Sequence, residues 1–360
     1  MTAQPIPPLL PRMRRHPIQW RPMARVTWLQ HRGSLITAIV LFAGYALVIV
    51  ESTLGPRSDY ARFVASRCLT SSRGSVICTD LFNSIAAQTT SLSLITIALL
   101  VIPVLAGTFI GVPLLAREIE SGTFRFAWTQ GIGRTRWMVT KMALLCGAAA
   151  VAAGTLGFLA DWYGGPFEST GLASRWQGGQ FNITVLTLPA WTVCSLAAGA
   201  FAGLLIGRVV AAMAATAAFA GGLIVLDFTR LHDWFLGIAP SVTRGSPSGT
   251  GLGALNTFAV PGGIPGPPGS WLVNGRYTGP DGQRLSSAAV NSLVNELDTS
   301  KSAAALGNPA QWLERHHDAY WISYQAASRF WGFQAAEAGI LLAITVMFVI
   351  GTITLAGRRR

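Results

Sequence analysis

Residues 184–227 read TVLTLPAWTVCSLAAGAFAGLLIGRVVAAMAATAAFAGGLIVLD, and Arg208 is the one charge before the closing Asp227. It divides two apolar runs, 184–207 and 209–227, each close to the roughly 20 residues a helix needs to cross a bilayer core. Two spans joined by so little chain predict a tight hairpin. The same pattern recurs outward: charge-free windows cover 33–50, 81–116, 142–160, 176–207, 209–226 and 338–357. Only 12% of the 360 residues are Asp, Glu, Lys or Arg, where a soluble globular chain carries about 25%. Mean hydropathy is +0.44. A water-soluble enzyme, a disordered chain and a disulfide-rich secreted domain are excluded on these grounds. The expected fold is an all-α integral membrane protein with six transmembrane helices, at 33–50, 94–116, 142–160, 184–207, 209–227 and 334–356. The second is trimmed because Leu81 to Ser91 is mixed and polar.

The net charge of +12 reads as a positive-inside bias rather than a nucleic-acid footprint, since no basic stretch is interleaved with aromatics on a soluble face. With both termini cytoplasmic, the inside pieces are 1–32, 117–141, 208 and 357–360, and they hold 15 of the 27 basic residues. The chain then divides into a tail with an amphipathic helix (1–32), five spans (33–228), an extracytoplasmic loop region (229–333) and a sixth span with a basic tail (334–360). The first apolar run is long enough to span, so it reads as a retained helix and not a cleaved signal peptide. Residues Trp20 to Arg32 fit an amphipathic helix that places Arg21, Arg25 and Arg32 on one face with Trp28 close by, a surface anchor on anionic lipid.

Chemistry that needs side chains of its own is missing. The two lysines, Lys141 and Lys301, do not follow a glycine, which excludes a phosphate-binding G-x-x-x-x-G-K-[ST] loop. Any ATP must be bound by another chain. G-x-S-x-G and H-E-x-x-H are absent, so no catalytic residue, cofactor or metal is expected. His316-His317 cannot both face one ion from a regular helix, because neighbours point about 100° apart. Asp161, Asp227 and Glu337 fall near the outer ends of spans, where interfacial solvation or a local partner competes with a substrate contact. Cys68 and Cys78 lie in the first outside loop and can close it by a disulfide; Cys146 and Cys194 fall mid-span and pack.

The stretch Arg117 to Lys141, REIESGTFRFAWTQGIGRTRWMVTK, carries the most information about function. Arg117, Glu118 and Glu120 continue the second span. Ser121 and Gly122 break it. A two-turn helix from Thr123 to Gln130 then places Phe124, Ala127 and Trp128 at i, i+3 and i+4. Arg134, Arg136, Trp137 and Lys141 read as interface anchors that open the third span. The aromatic stripe fits the lipid interface and equally a groove on a soluble partner; spacing does not choose between them.

This loop resembles that of type-2 ABC exporter permeases, where an acidic pair and Gly-Thr precede a short coupling helix, followed by an Arg and a Lys that open the next span. Ala127 to Gln130, Arg134 to Trp137, Trp28 to Arg32 and Tyr324 to Trp331 look like the actinobacterial branch. The resemblance implies a dimer, homo- or heteromeric, of six-span subunits in the plasma membrane. Each pair would be bound to cytoplasmic ABC ATPase chains that grip Glu118, Glu120, Gly122, Thr123, Phe124, Arg125, Trp128 and Gln130. It also implies that the 20–32 helix packs beside the coupling helix. Family analogy and the apolar spans suggest a hydrophobic or amphipathic cargo such as a drug, lipid or peptide. The rival readings are an ion-coupled secondary carrier and a non-transporting scaffold or immunity protein.

The 229–333 region is dense in Gly and Pro at 240–270. Trp271 to Thr278, centred on Asn274-Gly275, predicts a small hairpin. Trp312, Tyr320, Trp321, Tyr324, Phe330 and Trp331 lead back to the membrane, either as an outer aromatic belt or as an aromatic vestibule.

Overall fold

The computed structural model describes residues 20–68, 76–120, 134–244, 269–289 and 319–358, together with positions 291, 292 and 296. The chain divides into two compact units, Met1–Leu47 and Val48–Arg360.

Helix α1, Trp20–Ala65, supplies the described part of the first unit and continues into the second. The helix expected from Trp20 begins there and runs on without a break into the 33–50 stretch. The backbone stays helical through Gly33 and well past residue 50. Within the first unit Ile36, Val40 and Leu47 are exposed, as apolar side chains of a lipid-facing helix are.

In the second unit a long helical stretch is assembled from α2 (Val76–Ala87), α3 (Thr89–Leu105), a π-helical segment (Ala106–Gly111) and α4 (Val112–Glu120). The polar opening that the sequence reading trimmed is helical. Thr89 donates to Ala86 O and Ser93 to Thr89 O, at 2.8 and 3.0 Å, and Ser84 donates to Asp59 Oδ2 at 2.7 Å. Helix α5, Arg134–Thr170, follows, then a folded-in connection holding the short α6, Gly178–Phe181. Next come α7 (Thr187–Ile206) and α8 (Val209–Leu226). Helix α8 widens into a second π-helical segment, Asp227–Leu231, and closes with α9, His232–Leu236. A 3₁₀ turn, Ala327–Arg329, leads into α10, Phe330–Arg358. Among the described residues five helices are long and apolar enough to cross a membrane: Val76–Arg117, Met138–Ser169, Thr187–Ile206, Val209–Leu236 and Ala327–Arg358. The chain is a helical membrane protein.

Helix α7 is the centre of this unit. It packs against α10, α5, α8, α4, α3 and the first π-helical segment. The closeness comes from small residues. A Cβ on Gly107 would sit 2.5 Å from the Ser195 carbonyl oxygen, one on Gly111 2.6 Å from that of Leu196, and one on Gly203 2.8 Å from that of Val112. A Cβ on Gly199 would overlap the Gly107 carbonyl. Gly107 and Gly111 therefore face Ser195, Gly199 and Gly203 backbone to backbone, the small-xxx-small packing of membrane helices. The expected α7–α8 hairpin is present. Gly207 takes φ 69°, and its N–H bonds Gly203 O before Arg208 turns extended and α8 begins.

The 229–333 region amends the all-α expectation with a three-stranded antiparallel sheet. Its strands are β1 (Ser241–Arg244), β2 (Trp271–Thr278) and β3 (Ala319–Gln325), in the order β1-β3-β2. The hairpin expected about Asn274-Gly275 is corrected. Trp271 to Thr278 is one strand that pairs along β3, with Trp271 opposite Gln325, Tyr277 opposite Tyr320, and a bulge between Leu272 and Asn274. Asn274-Gly275 lies inside a ladder because the long aromatic β3 supplies a partner that local turn chemistry cannot reveal.

Candidate functional site

Two ends of the bundle carry polar chemistry. At the first, α4 ends against the start of α8 and the start of α5. The Glu120 carboxylate accepts a hydrogen bond from the Val209 N–H at 3.2 Å. That amide is one of the donors a helix N-terminus leaves without an intrahelical acceptor, so α8 is capped by a side chain from another span. Lys141 on α5 is buried, and its Nζ donates to the Leu114 carbonyl at 3.3 Å. The sequence reading made Lys141 an interface anchor; in the fold its ammonium ties α5 to α4. Leu114, Leu115, Met138, Met142, Ala200, Leu204 and Ala356 form the apolar cluster behind these contacts.

The remaining residues expected at this end are placed only in part. Glu118 lies in α4, Arg134, Arg136 and Trp137 in the first turn of α5, and Arg21, Arg25, Trp28 and Arg32 in α1, all by backbone position. Gly122, Thr123, Phe124, Arg125, Trp128 and Gln130, and with them the two-turn helix, lie outside the described residues. Arg117 is exposed at the end of α4. Glu120 is the last described residue before the 121–133 loop, and Lys141 lies two turns into α5 beyond it. The role of Glu120 as a cap on α8 had no sequence signal, because its partner is a backbone amide far along the chain.

At the other end, residues 171–186 fold inward instead of lying over the bundle. Trp176, Phe181, Asn182, Ile183, Thr184 and Thr187 are all buried. Asn182 Nδ2 donates to Asp227 Oδ2 at 2.6 Å. Thr184 Oγ1 donates to Gln334 Oε1 at 2.5 Å, while Gln334 Nε2 and Thr187 Oγ1 both donate to Phe181 O, at 2.9 and 2.8 Å. Trp191 Nε1 donates to Glu337 Oε1 at 2.9 Å, and Val185 N–H donates to Asp161 Oδ2 at 3.1 Å. All three carboxylates near span ends therefore have protein partners, as the local-partner reading expected. Asn182, Thr184 and Gln334 escaped sequence reading, since an isolated amide or hydroxyl in an apolar run carries no periodicity.

An aromatic cluster closes this end. Trp176, Phe181, Leu236, Phe330 and Phe333 are buried together, with Trp176 and Phe330 ring centroids 5.2 Å apart, edge to face. His232 Nε2 lies 2.7 Å from the Trp176 carbonyl, and Trp176 Nε1 donates to Gly269 O at 2.9 Å. Gln325 of β3 donates to the Leu236 and Ile238 carbonyls, which seats the sheet on the end of α9. Phe330 turns inward and Trp331 outward, so the aromatic run before α10 is neither wholly belt nor wholly vestibule.

Cys68 and Cys78 form a disulfide, with Cα atoms 5.5 Å apart, that joins the end of α1 to the start of α2; Cys146 and Cys194 are free thiols. Among the described residues no group of three or more His, Cys, Asp or Glu side chains is disposed to hold a metal. His316 and His317 lie outside them.

No curated protein and no solved structure matches the chain. Residues 36–230, more than half of it, match the family profile described as "ABC-2 membrane transporter related". The match runs from α1 through the second π-helical segment, so it includes the 121–133 loop and both helices that flank it. A helical membrane protein whose α4 is tied to α8 through Glu120 and to α5 through Lys141 accords with the family. The chain is a membrane transport permease belonging to the ABC-2 membrane transporter related family.

Proposed function

We propose that this chain is the membrane-spanning subunit of an ATP-driven exporter in the plasma membrane, working as a dimer with a separate cytoplasmic ATPase. It has six spans, the first within α1, and both termini face the cytoplasm, the side on which the basic residues collect. The ATPase chain grips the 117–141 loop, with Glu118, Glu120, Gly122, Thr123, Phe124, Arg125, Trp128 and Gln130 in contact. Hydrolysis belongs to that partner, since this chain carries no phosphate-binding loop. The cargo is hydrophobic or amphipathic.

The observation that carries this reading is the pair of ties flanking the loop. A push on the loop reaches α8 through Glu120 and Val209, and it reaches α5 through Lys141 and Leu114. A loop held this way passes movement to three spans at once. It needs no ion-binding group at mid-membrane, which is what an ion-driven carrier would require. The test is Trp128→Asp. The variant is expected to insert normally, with co-purification of the ATPase lowered by about tenfold, the effect of removing one buried aromatic anchor from an interface. Undiminished co-purification would refute the assignment of this loop.

A further inference from the structure

We infer that Asn182, Asp227 and Glu337 form a binding site for a positively charged amine carried by the transported molecule. The inference rests on the exporter reading above and names a chemical class for its cargo.

The site is built where α8 departs from regular helix. The second π-helical segment begins at Asp227, and such widenings of a helix recur at functional positions. Asp227 is 8% exposed and Asn182 1% exposed. Asn182 Nδ2 donates to Asp227 Oδ2, which fixes the orientation of the amide. Its Oδ1 is buried with no hydrogen-bond partner. The two amide heteroatoms share one carbon, so this orphan acceptor lies beside the same carboxylate. One oxygen of Glu337 on α10 accepts from Trp191 Nε1, and the apolar cluster that holds Trp191 packs against Leu223 and Ile224, one turn before Asp227.

The heteroatoms left over on Asn182, Asp227 and Glu337 are thus acceptors. No Lys or Arg among the described residues forms an ion pair with either carboxylate. His232, the basic group that acts on Asp227, already spends Nε2 on the Trp176 carbonyl. An unsatisfied buried acceptor is destabilising, and ionisable residues at membrane depth are retained where they serve a ligand or a pathway. A primary ammonium offers three donors and one positive charge, which matches two carboxylates and one amide oxygen. The described residues provide no metal shell, so an organic cation fits better than a divalent ion.

The experiment uses the full chain in phospholipid nanodiscs and the fluorescent primary amine dansylcadaverine, compared with its neutral N-acetyl derivative. The amine is expected to bind saturably and at least about tenfold more tightly than the acetylated probe, the discrimination that a charge-assisted hydrogen bond supplies. Asp227→Asn and Glu337→Gln are each expected to remove most of that preference, while elution as a single species in size exclusion verifies folding. Asp227→Asn keeps the side-chain shape beside Asn182, and Glu337→Gln can still accept from Trp191, so one variant carries the test should the other misfold. Equal binding of the two probes, or unchanged amine binding in both variants, overturns the proposal. Displacement of the amine by millimolar sodium as efficiently in the variants as in the parent also overturns it, by assigning the signal to an inorganic cation elsewhere. These readouts need no ATPase, so their failure leaves the Trp128→Asp test standing, and the reverse holds as well.

Discussion

At the scale of single residues, the fold depends on what is absent as much as on what is present. Gly199 and Gly107 touch through backbone atoms, and a methyl group on either must push two helices apart. Gly199→Ala is expected to destabilise the protein by about 1–3 kcal/mol, the range for overpacking a close-fitted core, read as a lower midpoint in thermal unfolding in detergent. A rise or no change would mean that the helices slide freely. Glu120 acts in the opposite sense, by adding a partner. Glu120→Ala leaves the Val209 amide without its acceptor. It is expected to cost about 1 kcal/mol, as loss of a cap does, and to speed hydrogen exchange at the start of α8. Exchange unchanged there would show that the carboxylate does not hold the helix. Asp227 and Glu337 could be picked out by reading the chain, because charges stand out in apolar runs. Asn182 and Gln334 could not, because their importance comes from burial and from partners on other helices.

Among the elements, the apolar helices were legible and their ends were not. Hydropathy located each of the five spans found among the described residues, because about 20 apolar residues in a row have few other uses. The helix that carries the second begins ahead of residue 94, because Thr89 and Ser93 satisfy their hydroxyls on nearby carbonyls and so do not break it. The sequence reading misread Asn274-Gly275 because strand pairing is decided by β3, some way along the chain. The connection 171–186 was invisible as a buried element, since its apolar residues are few and irregular. The disulfide is the element that chemistry can count directly. In denaturant without reductant, maleimide is expected to label Cys146 and Cys194 only, and after reduction all four cysteines. Four labels before reduction would show that Cys68 and Cys78 are unbonded. A loop of this size contributes about 2–3 kcal/mol by chain entropy.

For the whole molecule, polar contacts concentrate at the two ends of the bundle, and the middle is held by close packing around α7. One end offers a loop whose two flanks are tied to three spans. The other offers buried carboxylates beneath an aromatic cluster and a small sheet. On the proposed reading, force enters at the loop end and the route for cargo is released at the other. The number of spans decides whether this geometry can serve that purpose. With six spans, fluorescent protein fused to either terminus is expected to fluoresce in the cytoplasm, and alkaline phosphatase at either position to stay inactive. Opposite behaviour at the two termini would reduce the count to five and place α1 on the surface.

The turn at Gly207 and Arg208 also bears on how the chain is made. Helix α7 is the least apolar of the five spans, and two thirds of its most apolar stretch is covered by protein; a segment selected for neighbours is a poor candidate to rest alone in lipid. Two residues later the ribosome delivers α8, which is more apolar and mostly bare. The pair is thus best admitted to the bilayer as one insertion unit, the second helix securing the first until α10 arrives, more than a hundred residues on, to complete its shelter.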